Sequence, residues 1–280
     1  MTVLVTGGGG RLASALLQGL ARREISALAV SHQQLDICDP HELGPYIGKL
    51  RPTVIINAAA ATDVDRCELH PNWAYAVNVE GVANLAEAAR RVGAHLVTVS
   101  TDYVFDGAQD HPYRETDAAN PQSVYGQSKL EGERLALPES TVVRTAWLTG
   151  MTGGSVLRTA LARLADGDEV RFVNDQFGSP TFCWDLAEAI LDLAVDQQPG
   201  LFHVVNAGET SWWGLVRELA ELAGFDPEQV QPISSAELEP PRPAARPAYS
   251  VLATEALTAA GYRPLRHYSE PLAEFVSAVR

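Results

Sequence analysis

Short apolar runs alternate with amphipathic segments over the first half of the chain. The apolar runs predict five strands, at residues 2–5, 27–30, 53–57, 95–101 and 141–145. The segments between them have the 3–4-residue apolar period of helices, at residues 11–22, 41–50, 72–92 and 123–137. Strands that alternate with helices favour a parallel sheet covered on both faces, so the pattern predicts an α/β, doubly wound, Rossmann-type fold.

The alternation becomes irregular after residue 145. A glycine-rich loop at 150–154 precedes a predicted helix at 156–166 and a polar segment at 175–181. Further predicted elements are a helix at 184–195, a strand at 201–205, a helix at 211–223, a proline-rich stretch at 240–247 and a last helix at 271–279. We expect a smaller C-terminal lobe in this half, with some elements returning to the main sheet.

The first predicted strand ends in a glycine turn, Thr6-Gly7-Gly8-Gly9-Gly10, which opens the first helix. Its pattern is Gly7-x-x-Gly10-x-x-Ala13. Glycines allow positive φ and a close approach of backbone to a pyrophosphate, and free amides at a helix N-terminus favour the phosphate charge. Many loops are rich in glycine, but this turn follows the first strand of an alternating pattern, which is typical of dinucleotide binding.

Tyr125 and Lys129 are four residues apart in a predicted helix, so their side chains share one face. A nearby ammonium lowers the pKa of a phenol, and we expect Lys129 to make Tyr125 an acid-base group in this way. The alternative is an ordinary solvated helix face. Thr101 ends the fourth predicted strand, where ligands of doubly wound sheets bind, although Ser100 and Thr101 could instead cap a turn.

Thr101, Tyr125 and Lys129 together resemble the catalytic set of the extended short-chain dehydrogenase/reductase superfamily. More narrowly, four segments resemble the dTDP-4-dehydrorhamnose reductase family, and they follow in order through almost the whole chain: 100–107 (STDYVFDG), 125–133 (YGQSKLEGE), 144–147 (RTAW) and 175–181 (DQFGSPT). The resemblance implies an NAD(P)-binding Rossmann domain at 1–146, with return of elements around 182–205. It also implies an interleaved substrate-binding lobe at 147–280.

The resemblance implies an NADPH- or NADH-dependent reduction of a nucleotide-linked 4-keto-6-deoxy sugar, with dTDP-4-dehydro-L-rhamnose as the expected substrate. Tyr125 would donate the proton, Thr101 would hydrogen-bond the same oxygen, and Lys129 would hold the nicotinamide ribose. Ser31-His32, after the second strand, supplies neither the acidic residue nor the arginine that separates NADH from NADPH, so both cofactors stay open.

The remaining site residues are also implied by the resemblance. The expected cofactor contacts, besides Tyr125 and Lys129, are Gly7, Gly9, Gly10, Arg11, Leu12, Asp36, Ile37, Asn57, Ala58, Ala59 and Ala60. The expected substrate contacts, besides Thr101, are Asp102, Tyr103, Trp147, Gln176, Thr181 and Arg246. Arg144 and Arg246 are candidates for phosphate, whereas the pair Trp212-Trp213 is expected to pack the lobe.

Charge and cysteine usage narrow the partners. The chain of 280 residues has 21 basic and 35 acidic residues and a net charge of −14, which disfavours nucleic acid and anionic membranes. The three cysteines are widely spaced and the seven histidines lack ligand spacing, so we expect reduced thiols and no metal. No apolar stretch has the length of a membrane span. A cytoplasmic protein is expected, and a homodimer is compatible with the sequence.

Four alternatives are considered, of which dehydration is disfavoured. The related 4,6-dehydratases continue their Thr-Asp pair with a glutamate, where this chain has Tyr103, and the 4-epimerases usually have serine in place of Thr101. A non-catalytic regulatory subunit that binds sugar nucleotide and NADP could keep the fold and the Tyr/Lys pair. A related reductase of another dTDP-linked keto-deoxysugar would also fit.

Overall fold

The computed structural model describes residues 1–279. Its strands are β1 (Thr2–Thr6), β2 (Ser26–Val30), β3 (Val54–Asn57), β4 (His95–Thr101), β5 (Thr141–Thr145), β6 (Leu148–Thr149), β7 (Val170–Val173), β8 (Phe177–Gly178), β9 (Thr181–Phe182), β10 (Gly200–His203), β11 (Asn206–Ala207), β12 (Thr210–Ser211), β13 (Val230–Ile233) and β14 (Leu265–His267). Its helices are α1 (Arg11–Arg22), α2 (Pro40–Leu50), α3 (Val64–Leu69), α4 (Pro71–Tyr75), α5 (Gly81–Val92), α6 (Val124–Ala136), α7 (Val156–Ala165), α8 (Cys183–Val195), α9 (Trp212–Ala223), α10 (Glu255–Ala259) and α11 (Ser269–Val279).

Six parallel strands form the main sheet in the order β2-β1-β3-β4-β5-β10. The predicted doubly wound, Rossmann-type fold is therefore confirmed. The chain passes from β1 to β2 on one side and then returns to β3 on the other, so the strand order reverses between β1 and β3. Ligands of such sheets bind at the carboxyl ends of the strands beside this reversal.

Both faces of the main sheet are buried, as expected for parallel strands. Along β1, Val3 and Val5 pack into one core with α1 and α8, whereas Leu4 packs into a second core with α2 and α5. This alternation is the two-residue period of a strand. Residues 183–203 lie in the layers of the main sheet, since α8 packs beside α1 and β10 pairs with β5.

The C-terminal lobe has its own apolar core, built mainly from α7, α9 and α11 around the parallel pair β7 and β13. Its other ladders contain only two strands each: β6 with β9, β8 with β12, and β11 with β14. Such short ladders bury little surface by themselves. The lobe is therefore stabilised by its helices.

Predicted and observed elements differ mainly where a segment is short. The helix predicted at 72–92 consists of α4, a π-helical turn at Ala76–Glu80 and α5. The sequence analysis missed α3, α10 and the pair β7 and β13, because four to six residues show no clear period. Within residues 1–279 no helix is long and apolar enough to cross a membrane, and no cluster of three His, Cys, Asp or Glu side chains could hold a metal.

Candidate active site

The glycine turn after β1 forms a cradle at the carboxyl edge of the sheet. Gly7 has a φ of +71°, and a Cβ there would lie 2.7 Å from the backbone of Ala58 after β3. A Cβ on Gly9 would meet no atom within 4 Å, and Gly10 caps α1 without a side-chain hydrogen bond. Free helix amides beside open space suit an anionic group, so this cradle fits the pyrophosphate of a dinucleotide. Arg11, the first residue of α1, donates to the carbonyl of Gly154 in the lobe at 2.9 Å.

The wall beside the cradle is fixed by Asn57. Its Oδ1 accepts from Thr6 Oγ1 at 2.7 Å, and its Nδ2 donates to Thr98 Oγ1 at 3.1 Å. Asn57 is 1 % exposed, so its amide connects β1, β3 and β4 and holds the following alanines at the edge. Asn57 therefore shapes the predicted cofactor wall and does not present its own side chain. Ala58, Ala59 and Ala60 are half-buried.

Asp36 and Ile37, two of the predicted cofactor contacts, follow β2. Asp36 is half-buried, and its Oδ1 accepts from the backbone N–H of Cys38 at 2.9 Å. Ile37 is buried in the second core, and its carbonyl accepts from Asn84 Nδ2 at 3.0 Å. Through these contacts, Asp36 and Ile37 hold the loop that follows β2 in place. His32 is exposed, in line with a loop histidine.

Two glycines bring α6 close to the catalytic edge. A Cβ on Gly126 would lie 2.1 Å from the carbonyl oxygen of Tyr103, and a Cβ on Gly132 would lie 2.2 Å from that of Asn78. Asn78, in the π-helical turn, donates to Ser128 Oγ at 3.0 Å. No larger residue fits at either glycine, so the helix rests directly on the turn after β4 and on the π-helical turn.

Thr101, Tyr125 and Lys129 come together as the sequence predicts. All three are at least nine-tenths buried. Tyr125 faces the Thr101 hydroxyl, which lowers the pKa of the phenol, and the ring of Tyr103 meets Tyr125 edge-on at 5.4 Å between centroids. Lys129 Nζ donates to the carbonyl of Val99 at 2.6 Å, which fixes the ammonium beneath the end of β4.

The pKa of Tyr125 differs from the sequence expectation. Burial raises this pKa above its usual value, and the Thr101 hydrogen bond offsets only part of the rise. Burial also lowers the pKa of Lys129 to about 8, against the opposing charge of Glu133. The predicted net lowering of the Tyr125 pKa is therefore not found, because desolvation of the phenol outweighs the effects that favour the phenolate. The phenol therefore stays protonated.

Arg144 does not serve as a free phosphate ligand. Its guanidinium is 4 % exposed and forms a two-pronged pair with Glu133, at 2.9 Å from Nε to Oε1 and 2.7 Å from Nη2 to Oε2. Ser100 also donates to Glu133. The structure therefore assigns Arg144 to a buried ion pair between α6 and β5.

Arg246 reaches the site from the lobe. Its Nη1 and Nη2 lie 2.6 and 2.7 Å from the two carboxylate oxygens of Asp65 on α3. Its charge also lowers the pKa of Tyr103, although burial raises that pKa to about 12 overall. Arg246 therefore closes the lobe against the main sheet beside the catalytic edge.

The other predicted substrate residues have different positions. Trp147 follows β5 with a φ of +47°, stacks on Trp212 at 4.1 Å between centroids, and covers Gly178. Gln176 Nε2 donates to Ser235 Oγ at 2.7 Å and is half-buried. Thr181 is fully buried and donates to the carbonyl of Ser179, so the expected substrate contact of this hydroxyl does not fit.

Trp212 and Trp213 both pack against the core of the lobe, as the sequence analysis expected. Trp213 Nε1 donates to the carbonyl of Val230 at 2.9 Å, which joins α9 to β13. Trp212 additionally supports Trp147 through their stacked rings. The pair therefore belongs to the packing that supports Trp147.

Three partners of the site were missed by the sequence analysis: Asp65, Glu133 and Ser250. Ser250 Oγ donates to Asp102 Oδ2 at 2.6 Å across 148 residues of chain. For Glu133 a signal was present, since Tyr125, Lys129 and Glu133 follow one another at four-residue spacing on one helix face. Asp65 and Ser250 carry no local signal.

A glycine cradle at the strand reversal and a buried Thr-Tyr-Lys set at the same sheet edge are characteristic of the extended short-chain dehydrogenase/reductase class. Residues 1–280 match the family model described as the RmlD substrate binding domain. The chain belongs to this family.

The chain is similar to known proteins over nearly its full length. It is 46 % identical over 286 residues to dTDP-4-dehydrorhamnose reductase of Mycobacterium tuberculosis (strain CDC 1551 / Oshkosh), covering 99 % of this chain and 92 % of the relative. The crystal structure of a dTDP-4-dehydrorhamnose reductase from Clostridium acetobutylicum superposes with a TM-score of 0.95 at 38 % identity, covering 100 % and 99 %. The crystal structure of dTDP-4-dehydrorhamnose reductase from Bacillus anthracis in complex with NADP superposes with a TM-score of 0.93 at 33 % identity, covering 98 % of each chain.

Proposed function

We propose that this protein reduces the C4 keto group of dTDP-4-dehydro-L-rhamnose to give dTDP-L-rhamnose, with NADPH or NADH as reductant. The observation that carries the proposal is the buried set of Thr101, Tyr125 and Lys129 at the sheet edge that also carries the glycine cradle. The relatives named dTDP-4-dehydrorhamnose reductase support the substrate, and the NADP in the Bacillus anthracis structure supports the cofactor.

The proposed cofactor site occupies residues 1–146 together with the returning elements around 182–205. Gly7, Gly9, Gly10, Arg11 and Leu12 would hold the pyrophosphate, and the remaining proposed contacts are Asp36, Ile37 and the wall from Asn57 to Ala60. When bound, the nicotinamide supplies the hydride. Lys129 would hold its ribose, in addition to the observed bond to the carbonyl of Val99.

The protein's own part in the reaction is to stabilise and protonate the carbonyl oxygen. Negative charge grows on this oxygen as the ketone is reduced. Tyr125 donates the proton, and its burial keeps the phenol protonated until that charge develops. Thr101 donates a hydrogen bond to the same oxygen. The Lys129 ammonium, one helical turn away, stabilises the phenolate that remains after proton transfer.

The lobe at 147–280 is proposed to seat the sugar nucleotide. Trp147 would offer an aromatic face, and Tyr103, Gln176 and Arg246 would supply polar groups to the sugar nucleotide. Arg246 is the remaining candidate for the diphosphate, because Arg144 is committed to Glu133. The proposal extends to a cytoplasmic location and is compatible with a homodimer.

The experiment is to follow NADH and NADPH oxidation with freshly prepared dTDP-4-dehydro-L-rhamnose and to identify the product by NMR. The proposal expects turnover to dTDP-L-rhamnose, and the two rates would rank the cofactors. Turnover only with another dTDP-linked keto-deoxysugar would reassign the substrate. Nucleotide binding without turnover of any such sugar would contradict the proposal and favour a regulatory subunit.

A further inference from the structure

The Asp102 carboxyl lies directly behind the proposed catalytic hydroxyl and is 2 % exposed. Its Oδ1 is 3.0 Å from Thr101 Oγ1, and its Oδ2 is 2.6 Å from Ser250 Oγ. Both of these partners are neutral hydroxyl groups. Thr101 belongs to β4 of the main sheet, whereas Ser250 comes from the segment that follows the proline-rich stretch. Asp102 therefore joins the catalytic edge to the lobe.

The hydrogen atoms at Thr101 can be counted. A hydroxyl has one hydrogen to donate and two lone pairs to accept with, and an ionised carboxylate only accepts. When Asp102 is ionised, the Thr101 hydrogen must therefore point to Asp102. One lone pair of Thr101 is already used by the backbone N–H of Tyr103 at 3.2 Å. In this state Thr101 has no hydrogen left for a substrate oxygen.

Protonation of Asp102 reverses which group donates in the hydrogen bond between Thr101 and Asp102. The carboxylic acid can donate to Thr101 Oγ1, whose two lone pairs are then filled by Asp102 and by the N–H of Tyr103. The Thr101 hydrogen becomes free to point at a substrate carbonyl. When the Tyr125 hydroxyl points at the substrate carbonyl and leaves Thr101, the count closes without moving a heavy atom of Asp102 or Thr101, because the same 3.0 Å contact serves both states.

The surroundings of Asp102 place this change in an accessible pH range. Burial raises the pKa of Asp102 to about 6, whereas the hydrogen bonds from Ser250 and Thr101 lower it. The other titratable groups that face it are Tyr103 and Tyr125, and both phenols stay neutral at this pH. The charges of Arg246 and Arg242 act on Tyr103, whose pKa they lower.

We propose that Asp102 is a positioning residue whose protonated form donates to Thr101 and so frees the Thr101 hydrogen for the substrate carbonyl, while Ser250 favours the ionised form. This inference rests on the proposed function. Asp102 keeps its own proton throughout, and the proton that ends on the product oxygen is that of Tyr125. The lobe thus influences the catalytic hydroxyl through a single hydrogen bond.

The test is the pH profile of kcat/KM for the sugar nucleotide in three variants. In the wild type we expect a fall of about tenfold as the pH rises through about 6, because a donor to the developing oxyanion is lost. Asp102→Asn places an amide N–H toward Thr101 at every pH, so this fall should disappear while activity at high pH is retained. Ser250→Ala removes a donor to the carboxylate, so the fall should move to higher pH.

The control is Ser277→Ala, which removes an exposed hydroxyl that donates to the carbonyl of Ala273 and should leave the profile unchanged. A purely structural role for Asp102 predicts a parallel loss of activity at all pH values. Such a loss in Asp102→Asn, or an unmoved profile in Ser250→Ala, would overturn the proposal.

A second measurement separates this proposal from the proposed function. The Asp102 carboxyl can be titrated by NMR in uniformly 13C-labelled protein with NADP+ bound, using Asp102→Asn to assign its signal. We expect a pKa near 6 that rises in Ser250→Ala. A titration at the ordinary aspartate value would overturn the proposal even if the sugar is turned over. The expected titration without turnover of any sugar would instead contradict the proposed function.

Discussion

The two sides of the proposed site are built by different means. On the side of the main sheet, Thr101 ends a strand of the six-stranded sheet, Tyr125 and Lys129 are buried on helix α6, and Glu133 of the same helix forms a buried ion pair with Arg144. On the side of the lobe, the half-buried residues Trp147 and Gln176 lie immediately before β6 and β8, which belong to two-stranded ladders. The chemistry thus lies on the rigid side and the proposed sugar contacts on the adaptable side. Changes on the first side should affect turnover or folding, and changes on the second should affect substrate affinity.

The largest expected effect on folding is at the buried pair behind the catalytic helix. Glu133→Ala leaves the Arg144 guanidinium buried without its carboxylate, so the free energy of unfolding should fall by about 3–5 kcal/mol. Urea denaturation would measure it. Glu87→Ala removes an exposed carboxylate that pairs with Arg91 and should change stability very little. If Glu133→Ala and Glu87→Ala lowered the free energy of unfolding equally, the stability of the main-sheet side would not depend on the buried pair of Glu133 and Arg144.

A second prediction concerns acid stability at His203, at the edge of the main sheet. Burial and the charge of Arg144 lower the pKa of His203 to about 3. The folded form therefore resists a proton that the unfolded chain takes up below about 6.5. This group's contribution is complete above about 6.5 and is lost as the pH falls toward 3. The free energy of unfolding should decrease by about 2–4 kcal/mol over this interval.

The measurement is urea denaturation across this pH range, compared with His203→Gln. The variant should show a shallower loss of stability on the acid side. Asp102 contributes with the opposite sign between about pH 4 and 6, because its pKa is raised, so the difference between variant and wild type is the informative quantity. Parallel curves would contradict the assignment of the acid sensitivity to His203.

The smallest expected effect is on the lobe side, at the contact between Arg246 and Asp65. Arg246→Ala should raise KM for the sugar nucleotide about tenfold and leave the Kd for NADPH unchanged, since one charged hydrogen-bonding group is lost from the sugar side only. Asp65→Asn keeps the arginine charge but weakens the contact that holds it. A raised KM in Arg246→Ala with a normal KM in Asp65→Asn would assign Arg246 to phosphate binding.

The control for this pair is Arg242→Ala. Arg242 is half-exposed and lies 3.6 Å from the same carboxylate, so its loss should change KM little. An increase in the Kd for NADPH in Arg246→Ala would contradict the proposal that the lobe side contacts only the sugar nucleotide.

The sequence predicts the rigid side far better than the adaptable side, for a physical reason. Tyr125 and Lys129 share one helix, and Thr101 ends a strand with a strong apolar pattern, so local periodicity brings them to one edge. The pairs that close the site span 181 residues for Arg246 and Asp65, and 148 for Ser250 and Asp102. No local pattern encodes such pairs.

Besides contacts between distant residues, the sequence does not reveal how deeply each side chain is buried. Spacing alone suggested that Lys129 acidifies Tyr125, whereas the structure shows that desolvation governs the pKa of both groups. The sequence alone makes Arg144 a candidate for phosphate, whereas the structure pairs its guanidinium with Glu133. The types of the functional residues could thus be read from the chain, but their electrostatic states depend on the packing around them.

The most direct test of the account is Tyr125→Phe, assayed for NADPH oxidation with dTDP-4-dehydro-L-rhamnose and for NADPH binding by fluorescence. The account predicts a fall in kcat of about 10²–10⁴-fold with an unchanged Kd, because only the proton donor is removed. Tyr262→Phe, which loses an exposed hydroxyl bound to Asp196, should keep full activity. Full activity in Tyr125→Phe would contradict the central claim that this phenol protonates the substrate.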